Sequence, residues 1–462
     1  MTVSGGNVSG QTVRRRIRGQ TVGQRIVRMA LVAAGAVLAL LLLLATCGGG
    51  QDGGGAKDAG KDGGQPAKAA TEAPPATPRL AAPAAYDNTK GWRIVGGSAE
   101  YALAQEPALV AHVERSGADR FVLRAYDART GRTVWSGEPW RSLSDPAYFP
   151  KLLTVTKGDR RFFVTWSYGK VSGADALSTG DSVVALDMYD ARDGSQQHTE
   201  LPWPGVPVVS GTGPGILLTD GAATATVVDP ETGRPTAYTP KDLGAPKGCK
   251  NCGVRTEVRG LTAKGLLVGG RTEFWVKGGW YSRSVAPKGT DPVSGLPTSV
   301  TATGQILAKW QKKKPDGWDR WAVHDAATGK VLASVDCRKP AIEPGTYPQA
   351  VTAPGGQYLV AGNLAFDLRT PAPKEATTGH CLQEKEGSRP VTLTSVTDDG
   401  IAYGTTSPTS AAGTPVEVPL ATGAPVALKD TAVPPETELA GTGLFRWTDR
   451  RERPYLIGYP RR

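Results

Sequence analysis

The chain has 462 residues, 39% of them hydrophobic, and a formal charge of +11 from 54 basic and 43 acidic side chains. Six of the basic residues (Arg14, Arg15, Arg16, Arg18, Arg25 and Arg28) lie in the first 51 residues, which contain no acid, so the remainder holds 48 basic against 43 acidic residues, or +5. An excess this mild over so long a chain excludes the strongly basic class of nucleic-acid binders, and no nucleic-acid partner is expected.

The first predicted element is a hydrophobic helix. Met29 to Cys47, MALVAAGAVLALLLLLATC, is continuously apolar, and nineteen helical residues span about 28 Å, close to a bilayer's hydrocarbon thickness. Two readings fit residues 1–47. In one, Met29 to Thr46 is an uncleaved transmembrane signal anchor whose arginines stay in the cytoplasm. In the other, Leu44-Ala45-Thr46-Cys47 is a lipobox-like site, with Thr46 where a smaller residue is usual and Cys47 as the lipidation candidate. Either way the chain is tethered to the cell membrane and its bulk lies on the extracytoplasmic side. Residues 48–86 read as a disordered linker, Gly-rich and then Ala/Pro-rich, with too few large apolar side chains to offset the entropy of ordering.

From 87 to 462 the expectation is one all-β domain. Phe121 to Trp135, FVLRAYDARTGRTVW, reads as strand, turn, strand. Asp127 accepts from the backbone two residues on, and Gly131 supplies the positive φ that closes a bulged hairpin. The turn recurs as MYDARDGS (188–195), VVDPETGRP (227–235) and VHDAATGKV (323–331), and in worn form as FDLRTP (366–371) and PLATGAP (419–425). Glycine turns before apolar strands alternate with it, at Gly158, Gly213, Gly265, Gly304, Gly355, Gly400 and Gly443. Each pair of turns marks a four-stranded meander, and a period of about 47 residues is that of propeller blades. The count is eight blades, or seven, because the unit from Gly265 to Trp280 lacks the Asp turn. WRIVG (92–96) has no strand partner of its own, while the last unit lacks an outer strand, so an N-terminal strand is expected to close the ring.

Beyond Cys47 the cysteines are Cys249, Cys252, Cys337 and Cys381, an even number that suits an oxidising exterior. All four are disulfide candidates. Cys249 and Cys252 can staple their own loop, and Cys337 and Cys381 lie about one blade apart on equivalent strands. A CxxC redox centre calls for a βαβ setting and a zinc site for more paired cysteines, so structural disulfides are the reading preferred. His112, His198, His324 and His380 are scattered and read as structural, although a propeller funnel can gather residues from several blades. Among eleven tryptophans, Trp318 is the candidate partner contact, flanked by Lys312, Lys313 and Lys314. No Walker loop, HExxH, GxSxG or EF-hand pattern is present.

The repeats YDARTGRTVW, YDARDGS, VVDPETGRP and VHDAATGKV resemble those of the PQQ-like, quinoprotein-type β-propeller family, over roughly Tyr86 to the C-terminus. The resemblance implies the propeller fold. The family's dehydrogenases are larger and carry adjacent cysteines over the cofactor and an acidic Ca²⁺ site. This chain has no Cys-Cys pair, so no catalytic, cofactor-binding or metal residues are carried over and no cofactor is expected. Its size and tether are similar to the family's non-enzymatic bacterial members, which bind proteins. The leading expectation is a binding or scaffold module for an unknown protein or cell-envelope partner. The alternative is a metal-dependent lyase or lactonase-like hydrolase with its site at the funnel.

Overall fold

In the computed structural model, the described residues are 77–95, 100–144, 148–171, 181–249, 252, 255–270, 272–314, 316–339, 347–369, 379–383, 390–406 and 413–462. The hydrophobic segment Met29 to Thr46, Cys47 and the linker up to residue 76 lie outside them. No helix among the described residues is long and apolar enough to cross a membrane.

The chain forms eight antiparallel sheets, the blades of a β-propeller. Strands within a blade are lettered A to D from the axis to the rim. Blade 1 comprises Tyr101–Ala104, Leu109–Arg115, Arg120–Asp127 and Thr133–Ser136, with Trp140–Arg141 added beside strand C. Blade 2 is Lys151–Lys157, Arg160–Lys170, Ser182–Asp190 and Gln196–Pro202, and blade 3 is Val208–Ser210, Ile216–Thr219, Ala225–Val228 and Pro235–Tyr238. Blade 4 has only Glu257–Thr262, Gly265–Gly269 and Phe274–Val276 among the described residues. Blade 5 is Leu296–Val300, Gln305–Gln311, Trp318–Asp325 and Val331–Arg338. Blade 6 is Val351–Thr352, Tyr358–Ala361, Leu364–Asp367 and Gly379–Cys381. Blade 7 is Val391–Val396, Ile401–Thr406, Pro415–Pro419 and Val426–Ala427. Blade 8 takes Thr437–Leu439, Thr442–Thr448 and Pro454–Pro460, and its outer strand is Trp92–Val95, paired antiparallel through Trp92↔Gly458 and Val95↔Tyr455. The N-terminal strand therefore closes the ring.

The repeated turns fall where the meander places them. Every Asp-turn copy joins strands C and D, and the glycine turns join A and B. Asp127 Oδ1 accepts from the Arg129 and Thr130 amides at 3.1 and 2.8 Å, and Gly131 has φ 66°. In blade 8 the A–B turn is centred on Gly441, with Gly443 already inside the strand, a small shift from the expected turn at Gly443.

The hydrophobic core is divided among the eight seams between neighbouring blades, because each inner strand buries both faces against its neighbours. Each seam carries its own fastener. At seam 8/1, Trp92 Nε1–H donates to Ala128 O at 3.0 Å, and at seam 1/2, Trp135 donates to Ala191 O at 2.9 Å. Both indoles lie over the glycine of the next blade's Asp turn, and a Cβ on Gly194 would meet Trp135 at 2.8 Å. That glycine is thus required twice, for its positive φ and for the ring above it. At seam 2/3, Lys157 and Arg160 reach Asp229 and Glu231, with Lys157 Nζ 2.7 Å from Asp229 and Arg160 Nη1 2.8 Å from Glu231. At seam 3/4, Trp275 donates to Leu243 O at 3.0 Å. At seam 4/5, Trp280 donates to Ala326 O at 2.9 Å and stacks on His324. At seam 5/6, Cys337 and Cys381 pair across the two D strands with Cα atoms 5.7 Å apart. At seam 6/7, His380 Nε2 lies 2.7 Å from Leu420 O, an imidazole in the place of an indole.

Seam 7/8 departs from the expected boundaries. Residues before 87 pack into this seam. Leu80 and Tyr86 are buried with Tyr403, Phe445 and Tyr459. The Leu80 amide donates to Tyr459 Oη at 2.9 Å, and Tyr86 Oη donates to the Glu438 carboxylate of blade 8 at 2.9 Å. These two large side chains stand in an otherwise Ala/Pro-rich segment and give it apolar surface to bury. Blade 4 also departs from a uniform four-stranded unit. Without an Asp turn, its chain doubles back, Val276 N–H donates to Trp280 O at 2.9 Å, and Tyr281 bridges Trp275 where a fourth strand would start.

Candidate functional site

Two cavities lie on the propeller axis, walled by A strands and A–B turns. The first, of about 450 Å³, is bounded by blades 2 to 6. Its polar lining is Ser210, Thr212, Arg259, Thr298, Ser299 and Gln349. The second, of about 430 Å³, lies between blades 1 and 2 on one side and blades 5 and 6 on the other. Its polar lining is Gln105, Thr154, Thr156, Arg161, Thr303 and Gln305, and Gln105 Nε2 donates across the axis to Pro354 O. Among the described residues, the single ionisable residue in each lining is an arginine, and neither lining holds a carboxylate or an imidazole.

Arg259 is held in place. Its Nη2 lies 2.7 Å from Glu257 Oε2, two residues back on the same strand. Its stem crosses Gly269 of strand B, where an added Cβ would lie 3.2 Å from Arg259 Cγ and 3.4 Å from its Nε.

The histidines are not brought together. His112 sits on strand B of blade 1, His198 on strand D of blade 2, His324 on strand C of blade 5 and His380 on strand D of blade 6, and none lines a central cavity. His324 is fully buried. Its Nδ1–H donates to Gly329 O at 2.9 Å, Trp310 Nε1–H donates to its Nε2 at 3.3 Å, and burial pushes it down to about 4. His198 is half-exposed beside Asp187, its Nδ1 2.8 Å from Oδ1; burial works against its charged form, but the Asp187 hydrogen bond prevails and raises it.

Cys249 and Cys252 stand at disulfide distance with Cα atoms 5.6 Å apart. The buried Glu273 carboxylate lies beside them, and the three groups sit within 4.8 Å of one another. Arg283 Nη2, 2.9 Å from Glu273, and the Tyr281 hydroxyl occupy that carboxylate, and Tyr281 is pushed up to about 12 by burial and then by Glu273. Sulfurs joined to each other offer no thiolate to a metal.

The two faces of the disc differ. One carries the A–B and C–D turns, with their tight Asp-centred hydrogen bonds. The other carries the B–C loops and D–A connections. Of the nine large hydrophobic residues exposed among the described residues, Val95, Tyr148, Val171, Val206, Val208, Val293 and Trp318 lie at this second face, and Val134 and Val426 lie on the rim. Tyr148 and Val206 keep 69% and 74% of their surface exposed. Trp318 opens strand C of blade 5. In the adjoining lysine run, Lys312 is spent inside its loop, 2.6 Å from Asp316 and 3.2 Å from Asp336. Lys313 and Lys314 are exposed. The expected contact patch thus reduces to Trp318, Lys313 and Lys314, and the composition gave no sign of the apolar D–A residues that share its face.

No protein-family description matches the chain, and no curated protein does either. Among solved structures it is similar to the computationally designed Ika8 protein, at 14% identity over 78% of this chain and 95% of that one, with a TM-score of 0.38. It is also similar to the WD40 domain of SCAP from fission yeast (9% identity, 78% and 84% covered, TM-score 0.33) and to the β-propeller domain of the Trilobed protease from Pyrococcus furiosus (12%, 65% and 78%, 0.29).

Proposed function

We propose that this chain is a membrane-tethered, extracytoplasmic binding module that docks a protein or cell-envelope partner on the face built from its B–C loops and D–A connections. The observation that carries the reading is the gathering of exposed Tyr148, Val206, Val208, Val293 and Trp318 on that one face. Exposed aromatic and aliphatic side chains rimmed by cations such as Lys313 and Lys314 are the make-up of a partner-contact surface, where a few aromatic anchors supply most of the affinity. The tether rests on the arginine-flanked segment Met29 to Thr46. The titratable groups support binding over catalysis, since Lys157, Arg160, Asp229 and Glu231 are engaged in joining blades.

The test places a photo-crosslinking amino acid at Trp318 or Tyr148, and in parallel at Arg129 or Arg192 on the opposite face, in cells of the native host. A discrete crosslinked species from the first pair alone is expected. The same species from the second pair, or none from either, overturns the reading.

A further inference from the structure

We propose that the first axial cavity is a binding site for a small hydroxylated anion, a carboxylate or phosphate, anchored by Arg259. The site lies inside the ring and shares only Val208 with the outer face discussed above, and neither result decides the other.

The argument starts from what lines the axis. No acidic side chain among the described residues is in either lining, and each cavity presents one guanidinium among hydroxyls and amides. Glu257 offsets the charge of Arg259, so what the first cavity offers an anion is the guanidinium's remaining hydrogen-bond donors. The volume of about 450 Å³ lies in the range, roughly 300–1,000 Å³, of small-molecule sites.

Arg259 has the form of a prepared anchor. Glu257 Oε2 contacts the guanidinium at Nη2. Gly269 lets the stem lie flat across strand B, and Pro297 closes in from blade 5, its Cγ 3.5 Å from the Cβ position of Gly269. A guanidinium contacted at one nitrogen keeps its other donors in a planar fork that matches a carboxylate or phosphate. Around it, Ser210 and Thr212 of blade 3, Thr298 and Ser299 of blade 5 and Gln349 of blade 6 line the same cavity. Ser299 Oγ already accepts from the Ala350 amide at 2.9 Å, which turns its proton toward Gln349 Oε1 at 3.3 Å and orients both groups. Hydroxyls on two walls and a cation on a third describe a ligand with one anionic group and several hydroxyls. Leu153, Val208 and Pro297 supply the apolar remainder.

The experiment is calorimetric titration of the purified full chain with D-glucuronate, inorganic phosphate and D-glucose at low salt. Glucuronate and phosphate are expected to bind with dissociation constants of about 1 mM or tighter, and glucose, which lacks the charge, at least about tenfold more weakly. Arg259→Gln should lose about tenfold or more for both anions, with an unchanged unfolding midpoint showing that it is folded. Glu257→Gln removes the carboxylate that offsets the arginine's charge, so it should tighten glucuronate and phosphate by a smaller factor; it also serves if Arg259→Gln does not fold. Equal binding of glucose and glucuronate overturns the proposal. So does anion binding unaffected by both substitutions, or no heat from either anion at 10 mM, a level about tenfold above the expected constant.

Discussion

The Cys337–Cys381 pair makes a sharp prediction, because it joins the D strands of two neighbouring blades. The two cysteines are 44 residues apart in sequence, whereas Cys249 and Cys252 are separated by three. If a crosslink acts mainly by restricting the unfolded chain, the longer loop contributes about 4 kcal/mol at 25 °C and the shorter one about 2 kcal/mol. The location adds to the difference. Cys337 is fully buried in the core between blades 5 and 6, beside Trp321, Leu359 and Phe366, so opening the link also loosens the packing of that seam. The perturbation is the double substitution Cys337→Ala with Cys381→Ala, compared with Cys249→Ala with Cys252→Ala. Alanine is preferred to serine because a hydroxyl at the buried 337 position would be desolvated. Urea unfolding followed by tryptophan fluorescence under non-reducing conditions reads the midpoints. The 337/381 variant should fall furthest, and a reductant should carry the wild type down to the level of a protein lacking both links. A midpoint for the 337/381 variant equal to wild type, or a larger loss from the 249/252 variant, would refute the reasoning that the seam depends on its long-range link.

Two further outcomes follow from the docking residues. His324 is held neutral at about 4 in the folded chain against 6.5 in the unfolded one. The unfolded chain therefore takes up a proton that the folded chain refuses, and this contribution is intact above pH 6.5, declines as pH falls from 6.5 to about 4, and is flat below, a change of about 3 kcal/mol. His324→Gln should remove that part of the acid sensitivity and leave the carboxylate part, as read by urea midpoints at pH 7, 5.5 and 4; an identical pH profile for the two proteins would contradict the assignment. Trp135→Ala should cost about 3 kcal/mol through lost stacking on Tyr189 and Gly194, while Trp135→Phe should cost about 1 kcal/mol for the hydrogen bond to Ala191 O. Equal losses for the two would show that the ring's packing does not hold the seam.

How much of this was legible in the sequence depends on whether the cause is local. The C–D turns were, since Asp127, Thr130 and Gly131 act on one another within five residues and the same chemistry recurs in blades 2, 3 and 5. The closing strand Trp92–Val95 was legible because a count left a strand over, and the four cysteines were legible as disulfide candidates because their number is even, while the approach of Cys337 to Cys381 is made by the fold. What could not be read is what lies across the seams. The sequence shows why Gly194 needs a positive φ, but not that Trp135 occupies the space a side chain would fill, because that contact joins two different blades. Leu80 and Tyr86 were a readable signal that was outweighed by the Ala/Pro composition around them; two large apolar groups are enough to anchor a segment when a seam is open to receive them. The axial cavities are the extreme case. Their lining comes from five blades in one cavity and four in the other, at a spacing of about one blade, so Arg259 looks in sequence like any surface arginine. Only the ring brings it into one cavity with Thr298 and Ser299, with Gly269 and Glu257 against its side chain. In a repeat fold the stabilising contacts recur and are therefore visible in sequence, while a binding site is made where the repeats differ, which is why Arg259, standing in the blade that lost its Asp turn, is where the search for a ligand begins.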